Sequence, residues 1–253
     1  MNTMNYEAAL AYLAGLQRFG MKPGLGRTVA LLERLGRPDR RVGRVVHITG
    51  TSGKESVAAM VEAGLRAAGR RVGLFTSPPL MRFTERMQVN RAEIREEDVV
   101  RLTARVAEAA EAVAAAGQDP PTEFEVITAM GLAWFAEQAV DDLVLEAGMG
   151  GRFDATTAVA DAAVTAITNV GLDHTQWLGD THEKIAWDKA GIIRPGVPCV
   201  TGTDHPGALA VIEEVARERG APLVRVTEED FRVVEAGPSG QVADLRGGRG
   251  WYR

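Results

Sequence analysis

Several absences narrow what this sequence can be. Its single cysteine, Cys199, excludes an internal disulfide, and the surrounding VPCVTG reads as a buried strand thiol, not a nucleophile. No run of about 18 apolar residues suggests a membrane span. The start, MNTMNYEAALAYLAGL, has no basic stretch leading into an apolar one, so no signal peptide is expected and a cytoplasmic location is. Neither sign of charge dominates. The 29 Lys and Arg are interspersed with 34 Asp and Glu for a net charge of −5, which argues against a nucleic-acid partner but leaves room for a local phosphate site built from backbone amides.

What is present is alternation. Short β-branched runs at 44–49, 71–75, 142–146, 163–168, 197–201 and 222–226 are separated by amphipathic stretches at 54–68, 96–116, 123–139, 181–190 and 207–219. That order predicts an α/β fold, a mainly parallel sheet with helices on both faces. Thr122 followed three residues later by Glu125 has the capping-box form, and after Pro120-Pro121 it predicts a helix start. Beyond Glu229 the pattern changes to a small β-hairpin around Gly237-Pro238-Ser239-Gly240 and then a polar, Gly-rich end. The expected organisation is one domain over 1–253, divisible into a 1–228 core and a 229–253 β extension.

The sharpest local signal is VVHITGTSGKESVAAMV, a strand, a glycine loop and a helix. Gly50, Thr51, Ser52, Gly53, Lys54, Glu55 and Ser56 form the candidate nucleotide loop. Glycines let the backbone wrap an anion, amides at the helix start point at phosphate oxygens, and Lys54 adds a compact positive charge. The alternative is a tight strand-to-helix turn, which leaves Lys54 unexplained. Ile48 stands where the common P-loop has its first glycine, and Glu55 follows the lysine where Ser or Thr is usual. A second candidate, Glu146, ends the apolar strand DLVLE just before glycines. Carboxylates at strand ends can ligate a hard cation such as Mg²⁺, and the alternative is a pairing with a nearby Arg or an amide.

These segments resemble the folylpolyglutamate and dihydrofolate synthases, a branch of the Mur ligase family. The loop after His47-Ile48-Thr49-Gly50 is similar to that family's GT-x-GK-x-[ST]. Thr76-Ser77-Pro78 resembles its TSPH loop, with Pro79 in the histidine's place. LEAGMGGRFDATT resembles LExGLGGRLDATN, and ITNVGLDHTQWLGDTHEKIAWDKAGIIRPG matches its fourth signature nearly throughout. The likeness runs over residues 6–245. It implies a P-loop-type ATP-binding domain in which Lys54, His174 and Lys189 are catalytic. Ser77, Glu146, His174 and a carbamylated Lys189 would organise magnesium. Leu25, Thr122, Phe124, Glu125, Arg152, Phe153, Asp154 and Ala155 would meet the substrate, with Phe19 and Arg27 in the substrate-facing start. From the sequence alone, Lys189 reads as a solvated helix residue. Periodicity also offers a bland account of Ser77, as the cap of a Pro-stiffened turn.

The implied reaction joins L-glutamate to dihydropteroate or a folate at the expense of ATP, through an acyl phosphate, in a monomer. Family members continue into a second, glutamate-binding domain, which the resemblance places beyond Arg253 or on a separate chain. Two other readings remain open: a Mur-type ligase acting on a cell-wall precursor, and a non-catalytic ATP-binding module.

Overall fold

The computed structural model describes residues 4–20, 22–159, 161–238, 240–247 and 250–252. Its centre is an eight-stranded sheet built from β1 (Arg44–Thr49), β2 (Val72–Phe75), β3 (Met87–Val89), β4 (Ala92–Glu93), β5 (Asp142–Glu146), β6 (Val164–Ile167), β7 (Cys199–Thr201) and β8 (Leu223–Arg225). The spatial order is β4-β3-β2-β5-β1-β6-β7-β8, and only β3 runs antiparallel to the rest. Six of the predicted strands are therefore present, each within two residues of its expected ends.

The strands alternate between two apolar layers, which is why they need helices on both sides. Val72, Leu74, Ile48 and Val144 pack on α3 (Lys54–Ala67) through Val57, Val61 and Leu65. The intervening positions Val45, Phe75, Leu143 and Leu145 face α5 (Glu123–Glu137). Eleven residues of α5 are buried, because α4 (Glu96–Ala115), α1 (Tyr6–Gly15) and α2 (Gly26–Arg34) cover its other side. Gly131 lets α5 approach the sheet: a Cβ there would lie 2.9 Å from the Phe75 ring. Under β6 and β7, a separate apolar cluster joins α7 (His182–Lys189) and α8 (Pro206–Glu218), with the short α6 (Thr175–Leu178) before them. Cys199 is buried there, as its strand context predicts.

The capping box forms as expected: Thr122 Oγ1 accepts from Glu125 N, and Glu125 accepts from Thr122 N at 2.7 Å. The hairpin is present as β9 (Phe231–Gly237) and β10 (Gly240–Gly247), and β11 (Gly250–Tyr252) adds a third strand where only a polar end was expected. Ser239, in the expected turn, lies outside the described residues, as does Arg253. Helices α1 and α2 and strands β3 and β4 were not anticipated. Helix α1 is apolar on most sides and shows little 3.6-residue contrast, while two or three residues are too few for a period of two. Among the described residues no helix is long and apolar enough to cross a membrane.

The order of strands sets up the site. The chain leaves β1 toward β2 on one side, returns to insert β5 between them, and then crosses to β6 on the other side of β1. Ligands in such sheets bind beyond the carboxyl ends of the strands where the winding reverses. Ile48 is level with Glu146, and Thr49 with Ile167, so the loops after β1, β5 and β6 leave the sheet at one height.

Candidate functional site

The loop after β1 is built against the loop after β6. Asn169 Oδ1 accepts from Thr51 N (3.1 Å) and Ser52 N (2.9 Å), and Thr168 Oγ1 donates to Ser52 O (2.6 Å). Gly50 is required here, because its φ of 156° is accompanied by a Thr168 hydroxyl standing where a Cβ would go. Two of the loop's amides are thus already engaged. The first amide of α3 to bond back is Val57 N, to Gly53 O (2.9 Å), so the N–H groups of Gly53, Lys54, Glu55 and Ser56 lack intrahelical acceptors, the arrangement that suits a helix start to an anion. Lys54 rests on Thr51 O at 3.3 Å. Glu55 is exposed, and its charge adds to the rise of the Glu146 carboxyl.

Glu146 is 2% exposed, and its Oε2 has no hydrogen-bond partner. No arginine pairs with it among the described residues. Burial pushes its carboxyl up to about 7; Lys54 and the Ser77 amide pull the other way, and Glu55 and Asp154 add to the rise. Lys189, read as solvated from the sequence alone, is 3% exposed. Helical position does not reveal burial: the end of α7 carries the loop after β5, with Arg152 N bonded to Asp188 O and Gly151 N to Asp188 Oδ1, both at 2.8 Å. Burial lowers the Lys189 ammonium to about 8, and Lys54 lowers it further against the pull of Asp188, Asp173 and Asp154. Lys54 and Asp154 act on both Glu146 and Lys189, which places these groups in one electrostatic neighbourhood. His174 is half-exposed, with φ 49° and Nε2 3.7 Å from Asp173, and it does not line the cleft described below. The other histidines are accounted for: His47 is buried on Thr156 Oγ1 and pushed to about 3, by burial and then Arg194, and His182 stacks on His205.

Beside this cluster lies a cleft of about 1060 Å³, ample for a drug-sized molecule. Ser77, Thr122, Phe124, Glu125, Phe153, Asp154 and Ala155 line it, together with Trp177, Trp187 and Lys184. Phe153 and Trp187 have ring centroids 6.4 Å apart, and each is nearly half exposed. Phe124 rests on Gly148, where a Cβ would lie 2.6 Å from the ring. Some of the expected substrate residues are occupied by the fold. Glu125 is ion-paired with Arg27 at 2.8 Å, and Asp154 accepts from Met149 N and from the Thr156 hydroxyl and amide. Arg152 does not line the large cleft. Its guanidinium stacks 3.8 Å from the centroid of Trp187 and lines a smaller adjoining pocket with Arg219. Leu25 precedes α2 and is also absent from the cleft wall.

Among the described residues no three His, Cys, Asp or Glu side chains gather into a metal cage. The expected magnesium set contains only two such residues, so its fit rests on chemistry: the unpartnered, buried Glu146 oxygen and the nearby Ser77 hydroxyl are hard oxygen donors of the kind Mg²⁺ takes. Residues that the sequence did not single out complete the picture. Asn169, one residue past the end of the predicted strand, shapes the glycine loop, and Trp177 and Trp187 supply part of the cleft's aromatic surface. Arg86 donates to Ser77 Oγ at 3.1 Å, and burial lowers its guanidinium. The tryptophans lie inside the quoted fourth signature, but spacing alone does not tell a lining side chain from a solvated one.

Comparison with known proteins agrees with this geometry. The Mur ligase middle domain matches residues 48–236. Dihydrofolate synthase/folylpolyglutamate synthase of Bacillus subtilis is 43% identical over 219 residues, 86% of this chain and 50% of that protein. Folylpolyglutamate synthase of Lacticaseibacillus casei is 39% identical over 234 residues, 92% of this chain and 54% of that one. A solved FPGS–AMPPCP–folate complex superposes with a TM-score of 0.90 at 37% identity, covering 98% of this chain and 60% of its counterpart. The chain spans about half the length of the curated relatives it matches. With the family's domain covering 48–236 and its loop, strand-end carboxylate and sheet order all in place, the chain belongs to the Mur ligase family.

Proposed function

We propose that this domain supplies the ATP and acceptor sites of an ADP-forming ligase that joins L-glutamate to dihydropteroate or a folate. The observation that carries the reading is Glu146: a buried carboxylate with a free oxygen, beside a lysine-bearing glycine loop on one side and an aromatic cleft on the other. The relatives named for folylpolyglutamate and dihydrofolate synthesis, and the complex with folate and an ATP analogue, support the choice of substrates.

A carboxylate does not react with an amine at neutral pH because oxide is a poor leaving group. Transfer of the γ-phosphoryl group to a carboxylate oxygen releases ADP and gives an acyl phosphate. The glutamate amine then attacks the carbonyl carbon, phosphate leaves, and the nitrogen gives up a proton. Phosphoryl transfer depends on positioning and charge neutralisation. The amides of residues 53–56 and Lys54 would hold the phosphates, and Glu146, Ser77 and His174 would hold Mg²⁺. When bound, Mg²⁺ neutralises charge on the phosphate oxygens. Phe124, Phe153, Trp177 and Trp187 offer stacking surface for a flat pteridine and exclude water around the acyl phosphate.

Lys189 has a further part. An ammonium lowered to about 8 is roughly one-quarter neutral at pH 7.5. Its free amine can add CO₂, losing a proton to become a carbamate. That exchanges a cation beside Lys54 for an anion, relieving the repulsion that lowers it. The glutamate-binding part is assigned to another segment, in the same polypeptide or a second one.

The test is calorimetric binding of a non-hydrolysable ATP analogue with and without Mg²⁺, beside ADP release in the presence of dihydropteroate or folate and glutamate. Binding that requires Mg²⁺ and falls at least tenfold in Lys54→Ala is expected. Binding indifferent to both, or none, overturns the proposal.

A further inference from the structure

Arg86 stands apart from the other arginines of its segment. Arg82 pairs with Glu85 and Glu93, and Arg91 with Glu62. Arg86 has no carboxylate within ion-pair distance among the described residues, and its Nε is buried without a partner. Its one side-chain hydrogen bond runs from Nη1 to Ser77 Oγ, 3.1 Å. The two residues are also tied through the backbone. Phe75 pairs with Met87, and Thr76 N donates to Arg86 O at 3.1 Å, so the guanidinium is held over the turn that carries Ser77. On its other side, the Ser77 amide lies close enough to Glu146 to favour its charged form. Burial lowers the guanidinium, and the attraction of Glu123, which lies beyond ion-pair distance, offsets it only in part; a partly buried cation served so weakly is costly.

Arginine can only donate. When Nη1 donates to Oγ, one lone pair of the hydroxyl is taken, and its proton and second lone pair are left to point elsewhere. The contact also selects one of the three χ1 wells open to serine. We propose that Arg86 is the positioning residue of this site: it fixes the Ser77 side chain so that the hydroxyl oxygen faces Glu146 and a divalent cation held there. The proposal rests on the reading of this site as a magnesium–nucleotide site.

The sign of the effect separates this role from simple charge. A guanidinium acting only through its charge repels Mg²⁺, so its removal would tighten the metal. A guanidinium that aims a ligand does the opposite. The experiment is a Mg²⁺ titration of ATP-analogue binding by calorimetry, on the full 253-residue chain and on Arg86→Gln, Arg86→Lys, Ser77→Ala and the Arg86→Gln/Ser77→Ala double variant, with thermal melts of each. Arg86→Gln is expected to raise the Mg²⁺ concentration needed about tenfold, the scale of lost second-layer support for a metal ligand. Arg86→Lys, whose donor sits on a longer side chain than the glutamine amide, recovers part of the loss, and in the Ser77→Ala background Arg86→Gln costs nothing further. Tighter Mg²⁺ binding, an equal loss in metal-free nucleotide binding, or full additivity with Ser77→Ala overturns the assignment. If Arg86→Gln does not fold, Arg86→Lys against the unsubstituted chain decides: a raised Mg²⁺ requirement in its melting temperature with analogue, at unchanged metal-free nucleotide binding, supports positioning, and an unchanged requirement or a metal-free loss overturns it. Nucleotide binding by the unsubstituted chain that ignores Mg²⁺ sinks the magnesium-site reading itself, and Arg86 with it.

Discussion

Strand β5 carries a buried carboxylate at each end, and the two are treated oppositely. Asp142, at the amino end, is 2% exposed and receives Arg44 (2.8 Å) and Arg70 (2.6 Å). Burial pushes its carboxyl up, but the hydrogen bonds and charges of the two arginines outweigh burial, and it stays below the ordinary carboxylate range. Glu146, four residues on and equally buried, pairs with no arginine among the described residues and is pushed up to about 7. One acid completes the fold; the other is left incomplete by it. Residues kept unsatisfied at strand carboxyl ends are where a ligand can contribute what the protein omits.

The largest effect should come from neutralising each acid in turn. Asp142→Asn removes the acceptor of two arginines and should cost about 1–3 kcal/mol, below the range for a fully buried pair because the Arg44 side chain is 61% exposed. Glu146→Gln should instead raise stability at pH 8 by about 1–2 kcal/mol, since the native state no longer has to hold a desolvated charge. The same change should remove Mg²⁺-dependent nucleotide binding. Denaturant titration and calorimetry of both variants check the contrast, which breaks if they shift stability in the same direction.

The second effect is in the pH profile. An acid whose folded pKa is raised, here from 4.5 to about 7, contributes stability that is present below pH 4.5 and lost as pH rises through 7. That loss is about 3 kcal/mol at most. Lowered to about 3, His47 acts with the opposite slope, adding stability as pH rises from 3 to 6.5. The difference between the unsubstituted chain and Glu146→Gln isolates the first: it should open between pH 4.5 and 7 and stay constant above. A difference flat with pH would mean that Glu146 is satisfied in solution. The smallest effect, under 1 kcal/mol, is expected for Arg44→Ala, because Arg70 still holds Asp142; a larger loss by denaturant titration would show that the amino end is as poorly served as the carboxyl end.

Much of the site was legible because its signals are local. The β1 strand, the glycine loop and the start of α3 announce themselves through period and composition, and the Thr122 capping box through spacing. Glu146 was legible as a carboxylate closing an apolar strand. Lys189 was not: its helix position says nothing of the loop from β5 that buries it. Nor was Arg86 or Asn169, since each acts on a loop it meets only through strand pairing. The short strands β3 and β4 escaped for the same reason, being defined by what they pair with.

By itself, the sequence determined the alternation of strands and helices, the lysine-bearing glycine loop and the charged residues available at strand ends. Those follow from neighbours along the chain. Only the tertiary structure decided which charges were satisfied. Sheet order set Glu146 level with Ile48 and, among the described residues, paired with no arginine, while its partner acid at the other end of the same strand met two, and desolvation turned that difference in neighbours into opposite acidities.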